Sequence, residues 1–136
     1  MIVVDSSVWI DALNGVNTSQ TNMLNNILGK EAVMITDHIL LEVLSGFRNE
    51  KDYNAAKYYL EKIPCYNTLD KELAVKCVDN YRYLRKIGIT VKSTVDLIIG
   101  SFCIENNLSL LHNDHDYDLI EEHLGLKVLC PAKPLH

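Results

Sequence analysis

The chain begins with three β-branched apolar residues, Ile2, Val3 and Val4, and then meets a carboxylate at Asp5. A run this short, apolar throughout and closed by a polar residue, predicts a strand buried on both faces. Ala32–Ile35, Leu108–Leu111 and Lys127–Leu129 repeat the pattern and predict further strands. Between them the apolar spacing lengthens to every third or fourth residue, as in helices. Helices are predicted over Ser6–Leu13, stopped by Asn14-Gly15, and over Gln20–Leu28, stopped by Gly29. Asp37–Phe47 is a further helix, with Ile39, Leu40, Val43, Leu44 and Phe47 on one stripe. Tyr53–Ile63 breaks at Pro64, Lys71–Lys86 stops before Gly88, and Tyr117–His123 is short.

Ser93–Glu105 differs from the others. Leu97, Ile98, Ile99, Phe102, Cys103 and Ile104 make it apolar around most of its circumference, which predicts a buried helix. Short apolar strands alternating with helices predict an α/β fold, a central and mainly parallel sheet flanked by helices. With no repeat, low-complexity tract or linker, residues 1–136 are read as one domain. A chain of this size buries about 68% of its unfolded surface, enough for one core. Ligands of such folds sit outside the carboxyl ends of the strands. That rule places Asp5 at the same edge as residues 109–118, S-L-L-H-N-D-H-D-Y-D.

Composition narrows the class. Hydrophobic residues make up 48% and charged residues 23%, the balance of a folded domain. Cys65, Cys77, Cys103 and Cys130 are scattered without a C-x-x-C pair, so buried free thiols are expected rather than a zinc knuckle. The first residues lack the basic region of a signal peptide, and no apolar run approaches the ~20 residues of a membrane span. The expected location is cytoplasmic, with no membrane partner. A net charge of −5 argues against nucleic acid, unless the carboxylates are gathered around cations that neutralise them.

Each carboxylate has an ordinary reading beside a chemical one. Asp5, between a strand and a helix, suits an N-cap. Ser93-Thr94-Val95-Asp96 fits a capping box in which Asp96 reaches back to the Ser93 amide. Yet Asp96 heads an apolar helix, where an unpaired carboxylate is costly. Glu42 lies off its helix's apolar stripe, as a solvated surface residue would, or one at a cleft rim. Asp114, Asp116 and Asp118 suit a polar turn that starts a helix. His112 and His115 match no zinc spacing, and an oxygen-rich set suits Mg²⁺ or Mn²⁺ better. Taken together, four separated carboxylate stations meet the demand of two-metal phosphoryl chemistry, in which oxygen ligands hold two cations about 3.5–4 Å apart.

At this point the chain resembles the PIN-domain ribonucleases, and among them the VapC-type toxins of toxin–antitoxin pairs. M-I-V-V-D-S-S-V-W-I-D is similar to the family's N-terminal V-D-S/T-S-x-W-I-D/E signature. I-L-L-E-V-L-S-G-F-R, S-T-V-D-L-I-I-G-S and L-L-H-N-D-H-D-Y-D-L-I resemble its second, third and fourth acidic motifs, in order along nearly the whole chain. Carried over by motif, the resemblance implies Asp5, Glu42, Asp96 and Asp114 as the catalytic, metal-site carboxylates, with Asp116 a further candidate ligand and Ser6 helping to hold water or ligand. It implies Mg²⁺- or Mn²⁺-dependent endonucleolytic cleavage of tRNA, rRNA or mRNA, a homodimer, and inhibition by a cognate antitoxin. The expected basic rim for RNA is Arg82, Arg85, Lys86 and Lys92, with Arg48 and Lys51 behind it. Exposed helix faces would carry the same residues. Trp9, Phe47, Tyr53, Tyr58 and Tyr59 are candidates for a dimer or antitoxin surface, or for core. Of rival enzymes, a haloacid-dehalogenase-type phosphatase needs an acid where Ser7 stands, and a signalling receiver needs a pair of acids where Val3-Val4 stand. The alternative from another class is a PIN-like module that binds RNA or protein with little or no nuclease activity.

Overall fold

The computed structural model describes residues 1–130, so residues 131–136 of the expected domain lie outside the described part. The strand β1 (Ile2–Val4) pairs in parallel with β2 (Val33–Thr36) on one side and with β4 (Ser109–Leu111) on the other. The strands β3 (Cys65–Tyr66) and β5 (Lys127–Val128) close the two edges, also in parallel, giving the order β3-β2-β1-β4-β5. Every residue of β1 and β2 is buried, as their unbroken apolar runs require.

The helices are α1 (Ser6–Leu13), α2 (Ser19–Ile27), α3 (Asp37–Ser45), α4 (Glu50–Leu60), α5 (Lys71–Lys86), α6 (Thr94–Glu105) and α7 (Asp116–Leu124). From β1 the chain steps outward to β2 and β3, then returns past β1 to β4 and steps outward again to β5. Parallel crossovers are right-handed, so this reversal sends α1–α4 to one face and α5–α7 to the other. The packing divides accordingly: α1 rests on α2 and α3, and α3 on α4, while α6 rests on α5 and α7. The reversal falls between β1 and β4, whose carboxyl ends carry Asp5 and the 112–116 loop. Such a switch point is where α/β sheets open a crevice for ligands.

The sequence reading missed β3, a two-residue edge strand with both residues exposed and no apolar run to announce it. Capping moved several helix ends. α2 begins at Ser19 because Thr18 and Thr21 form a reciprocal capping box. α4 begins at Glu50 rather than Tyr53 because the Asn49 side chain accepts the Asp52 N–H at 2.8 Å. α3 ends at Ser45 with Gly46 as its C-cap, leaving Phe47 beyond the helix. Of the cysteines, Cys77 and Cys103 are buried as expected, whereas Cys65 and Cys130 are exposed. No helix of the described residues is long and apolar enough to cross a membrane.

α6 is buried from Asp96 to Cys103, and its fit against α7 depends on Gly100. A Cβ at that position would lie 3.1 Å from Ile120 Cγ2 and 3.3 Å from Ile120 Cδ1, and Ile120 is itself fully enclosed. Gly100→Val therefore overpacks the α6–α7 seam. Its expected cost is about 2–3 kcal/mol, read as a lower urea midpoint at unchanged slope.

Candidate metal centre

β1 ends where its apolar run ends, and Asp5 takes up extended geometry (φ −69°, ψ 158°) as the N-cap of α1. Its N–H donates to the Leu111 carbonyl at 2.9 Å, which joins the carboxyl ends of β1 and β4. The residue is 3% exposed, and both carboxylate oxygens accept hydrogen bonds. Oδ2 accepts the Ser7 hydroxyl at 2.8 Å and the Ser7 N–H at 3.3 Å, and Oδ1 accepts the Tyr117 hydroxyl at 2.9 Å. The Ser7 oxygen in turn accepts the Asn113 N–H at 3.1 Å, so one hydroxyl ties the Asp5 loop to the loop after β4.

Asp96 heads α6 and is 8% exposed. Its N–H donates to Ser93 Oγ at 3.3 Å, the N-cap half of the expected capping box. The other half is not formed. The Asp96 carboxylate does not return to the Ser93 amide; instead one of its oxygens lies within 4.8 Å of oxygens of Asp114 and Asp116. Asp114 Oδ1 accepts the Asp116 N–H at 2.9 Å, and the Asp114 N–H donates to His112 Nδ1 at 3.2 Å. That bond makes His112 an acceptor behind the loop. His115 is exposed and faces Asp118 at 3.1 Å.

Asp5 and Glu42 stand outside the close trio but share its field. Glu42 lies on the outer side of α3, yet its carboxylate accepts the Ser6 hydroxyl at 3.4 Å. It belongs to the rim of the acidic edge. Burial raises its pKa first and the Asp5 charge second, while Ser6 and His38 oppose the rise. Asp96 is pushed up to about 7, first by burial, then by the charges of Asp114 and Asp5; the nearby Tyr117 hydroxyl partly opposes. Among the described residues no lysine or arginine forms an ion pair with any of the five acids. An all-oxygen donor set, partly buried and without basic counterions, fits a hard divalent cation.

Sequence reasoning missed Tyr117 and Ser7 as members of this network. Periodicity predicted Tyr117 as a helical residue but could not say where its hydroxyl points. The basic residues separate from the acids: Arg82, Arg85 and Lys86 line a groove of about 470 Å³ on α5 together with Val78 and Tyr81, and none of the five carboxylates lines it. Lys92 is exposed in the loop leading to α6, and Arg48 and Lys51 are exposed around the start of α4. Trp9 is core, 1% exposed, its ring meeting Tyr59 edge-on at 6.4 Å. Tyr58 and Tyr59 remain exposed.

The raised Asp96 value has a definite sign. The folded state holds this proton more tightly than the unfolded chain, whose aspartates titrate near 3.9. Metal-free protein therefore loses stability as pH rises from about 4 to about 7, and the loss is complete above that. Between pH 5 and pH 8 the expected loss is on the order of 2–3 kcal/mol. Asp96→Asn flattens that slope, and saturating Mg²⁺ or Mn²⁺ offsets it. Urea denaturation across pH, in chelator and in metal, measures both.

Comparison with known proteins agrees with this geometry. A family model described as "PIN domain" matches residues 2–122. Two similar relatives are VapC ribonuclease Mb1587 of Mycobacterium bovis and ribonuclease VapC11 of Mycobacterium tuberculosis. Each is 26% identical over 122 residues, covering 88% of this chain and 91% of the relative. Among solved structures, VapBC2 from Rickettsia felis, bound to a DNA fragment of its promoter, superposes with a TM-score of 0.75 at 17% identity, covering 95% of this chain and 98% of that one. FitAcB from Neisseria gonorrhoeae gives 0.76 at 17% identity over 96% and 98%. VapC20 of M. tuberculosis, described as a sarcin–ricin-loop-cleaving toxin, gives 0.65 at 17% identity over 87% and 93%. With the parallel order β3-β2-β1-β4-β5, the acids at its switch point and the family model spanning nearly all of it, this chain belongs to the PIN-domain family.

Proposed function

We propose that this protein is a divalent-metal-dependent endoribonuclease, the toxin of a pair in which a cognate antitoxin silences it. The observation that carries the proposal is the convergence of Asp96, Asp114 and Asp116 within 4.8 Å at the sheet's switch point, with Asp5 and Glu42 beside them. The charges of Asp114, Asp5 and Asp116 act on the buried Asp96 and add to the rise of its pKa, a cost that a purely structural arrangement avoids. The relatives named as VapC ribonucleases supply the RNA reading.

Asp5, Asp96, Asp114 and Asp116 would hold Mg²⁺, or Mn²⁺ with the same oxygen donors. When bound, such a cation supplies Lewis acidity that activates water and compensates charge on a phosphodiester. The protein's own contribution is placement. Ser7 and Tyr117 hold the Asp5 carboxylate, Ser93 fixes the first turn of α6 under Asp96, and the Asp114–Asp116 turn presents two acids from one loop. Ser6 and Glu42 form a polar rim where a water or a ribose hydroxyl can bond. RNA brings its own negative charge, so binding needs cations besides the metals. Arg82, Arg85 and Lys86 supply three of them on one face of α5, with Lys92 following. Cellular RNA, whether tRNA, rRNA or mRNA, is the proposed substrate class, and the cytoplasm the proposed location.

For the antitoxin, the groove between the end of α1, the turn after α3 and α4 is the favoured seat. Leu13, Phe47, Ala55 and Tyr59 line it, with exposed apolar groups at Ile10 and Leu41 close by in sequence. Titratable Asp52 at its edge suits a partner that also brings a basic side chain. A homodimer is part of the same proposal.

Incubation of the purified protein with total cellular RNA in Mg²⁺ or Mn²⁺ tests the activity. Discrete products are expected, lost in EDTA and reduced about 100-fold or more in Asp5→Ala and Asp96→Ala. No products from folded, antitoxin-free protein across several RNA pools would leave a binding module as the better reading. Replacing Arg82, Arg85, Lys86 and Lys92 together is expected to weaken RNA binding and to reduce its salt slope by about 0.7 for each phosphate that is no longer neutralised. Cleavage and salt slope both unchanged would dismiss the rim.

A further inference from the structure

Tyr117 reaches the acidic edge from inside the core. Its side chain is 0% exposed on α7, and its ring lies against the His112 imidazole with centroids 4.9 Å apart. Packing fixes the ring, and the hydroxyl emerges between Asp5 and Asp96, donating to Asp5 Oδ1 at 2.9 Å. A phenol has one proton to give. Here it goes to Asp5 Oδ1.

Asp5 Oδ2 is held from the other side by the Ser7 hydroxyl and N–H. A free carboxylate turns in a broad, roughly two-fold well about its last torsion. Donors on both oxygens remove that freedom. A carboxylate offers about four lone-pair sites, and the two donors from Ser7 and one from Tyr117 leave about one of them for a cation. The plane of Asp5, and hence the direction in which it can bind, is set by groups on α1 and α7 rather than by the aspartate itself.

We propose that Tyr117 is a positioning residue whose hydroxyl fixes the Asp5 carboxylate and thereby sets the affinity of the acidic edge for a divalent cation. The inference rests on the metal-dependent reading above. Ring and hydroxyl are separable, because phenylalanine fills the same core volume without the donor.

The test is a titration of Mn²⁺ into metal-free protein, with free Mn²⁺ read by electron paramagnetic resonance. Wild type, Tyr117→Phe and Ile120→Val are compared at a temperature where circular dichroism shows all three folded. Ile120 is buried on the same helix and faces Gly100 of α6, so Ile120→Val reports what loosening α7 does alone. Tyr117→Phe is expected to raise the Mn²⁺ dissociation constant about 10–100-fold, and Ile120→Val to leave it unchanged. RNA cleavage by Tyr117→Phe should recover towards the wild-type rate as Mn²⁺ is raised. Wild-type affinity in Tyr117→Phe overturns the inference alone, as does an equal loss in Ile120→Val. Failure of the wild type itself to bind Mn²⁺ overturns the metal centre and this inference with it.

Discussion

The acidic edge depends on the parallel pairing of β1 with β4. Two carboxylate-bearing loops repel each other, and a single hydroxyl contact between them is a weak tie. The strand ladder does so at a distance, with Ile2, Val3 and Val4 in register with Ser109, Leu110 and Leu111. The ladder then runs one step past its last pair through the Asp5 N–H and the Leu111 carbonyl. Beyond that point the Ser7 hydroxyl continues the link to Asn113. Backbone bonds in the core thus hold acids that electrostatics would separate.

The third acid arrives by a different route. Asp96 sits at the mouth of a helix buried over most of its length, and the depth of α6 is fixed by apolar contact with α5 and α7. Its cost in charge burial is met by the hydrophobic anchoring of the rest of the helix. Gly100 sets how closely α6 approaches α7, and α7 carries both Asp116 and Tyr117. A side chain too large for that seam presses on the helix that presents both groups.

Much of this was legible in the sequence. Ile2–Val4 and Leu108–Leu111 announced buried strands because they are apolar without alternation, and the parallel α/β class followed from strands separated by helices. Asp5, Asp96 and the Asp114–Asp116 pair were legible because each breaks an apolar pattern at an element's end. Glu42 was not legible by pattern, since a rim glutamate and a solvated one occupy the same place on a helical wheel. Only the Ser6 contact tells them apart. β3 was invisible because an edge pair of two exposed residues carries no burial signal. Tyr117 was hidden for a different reason: its place on a helix was readable, but a hydroxyl's partner is a fact of tertiary geometry. The capping box at Ser93 was half right: Ser93 caps the helix, but the Asp96 carboxylate stands beside Asp114 and Asp116 and not at the Ser93 amide.

The sheet's edges have a consequence for how this molecule meets others. Both outer strands, β3 and β5, are two residues long. An edge that short presents too few free N–H and C=O groups to template an added strand. Association by extending the sheet is thereby closed off at either side, which also guards against edge-to-edge aggregation. A protein partner must read helix faces and loops instead, where recognition comes from side chains and can be made specific to one companion.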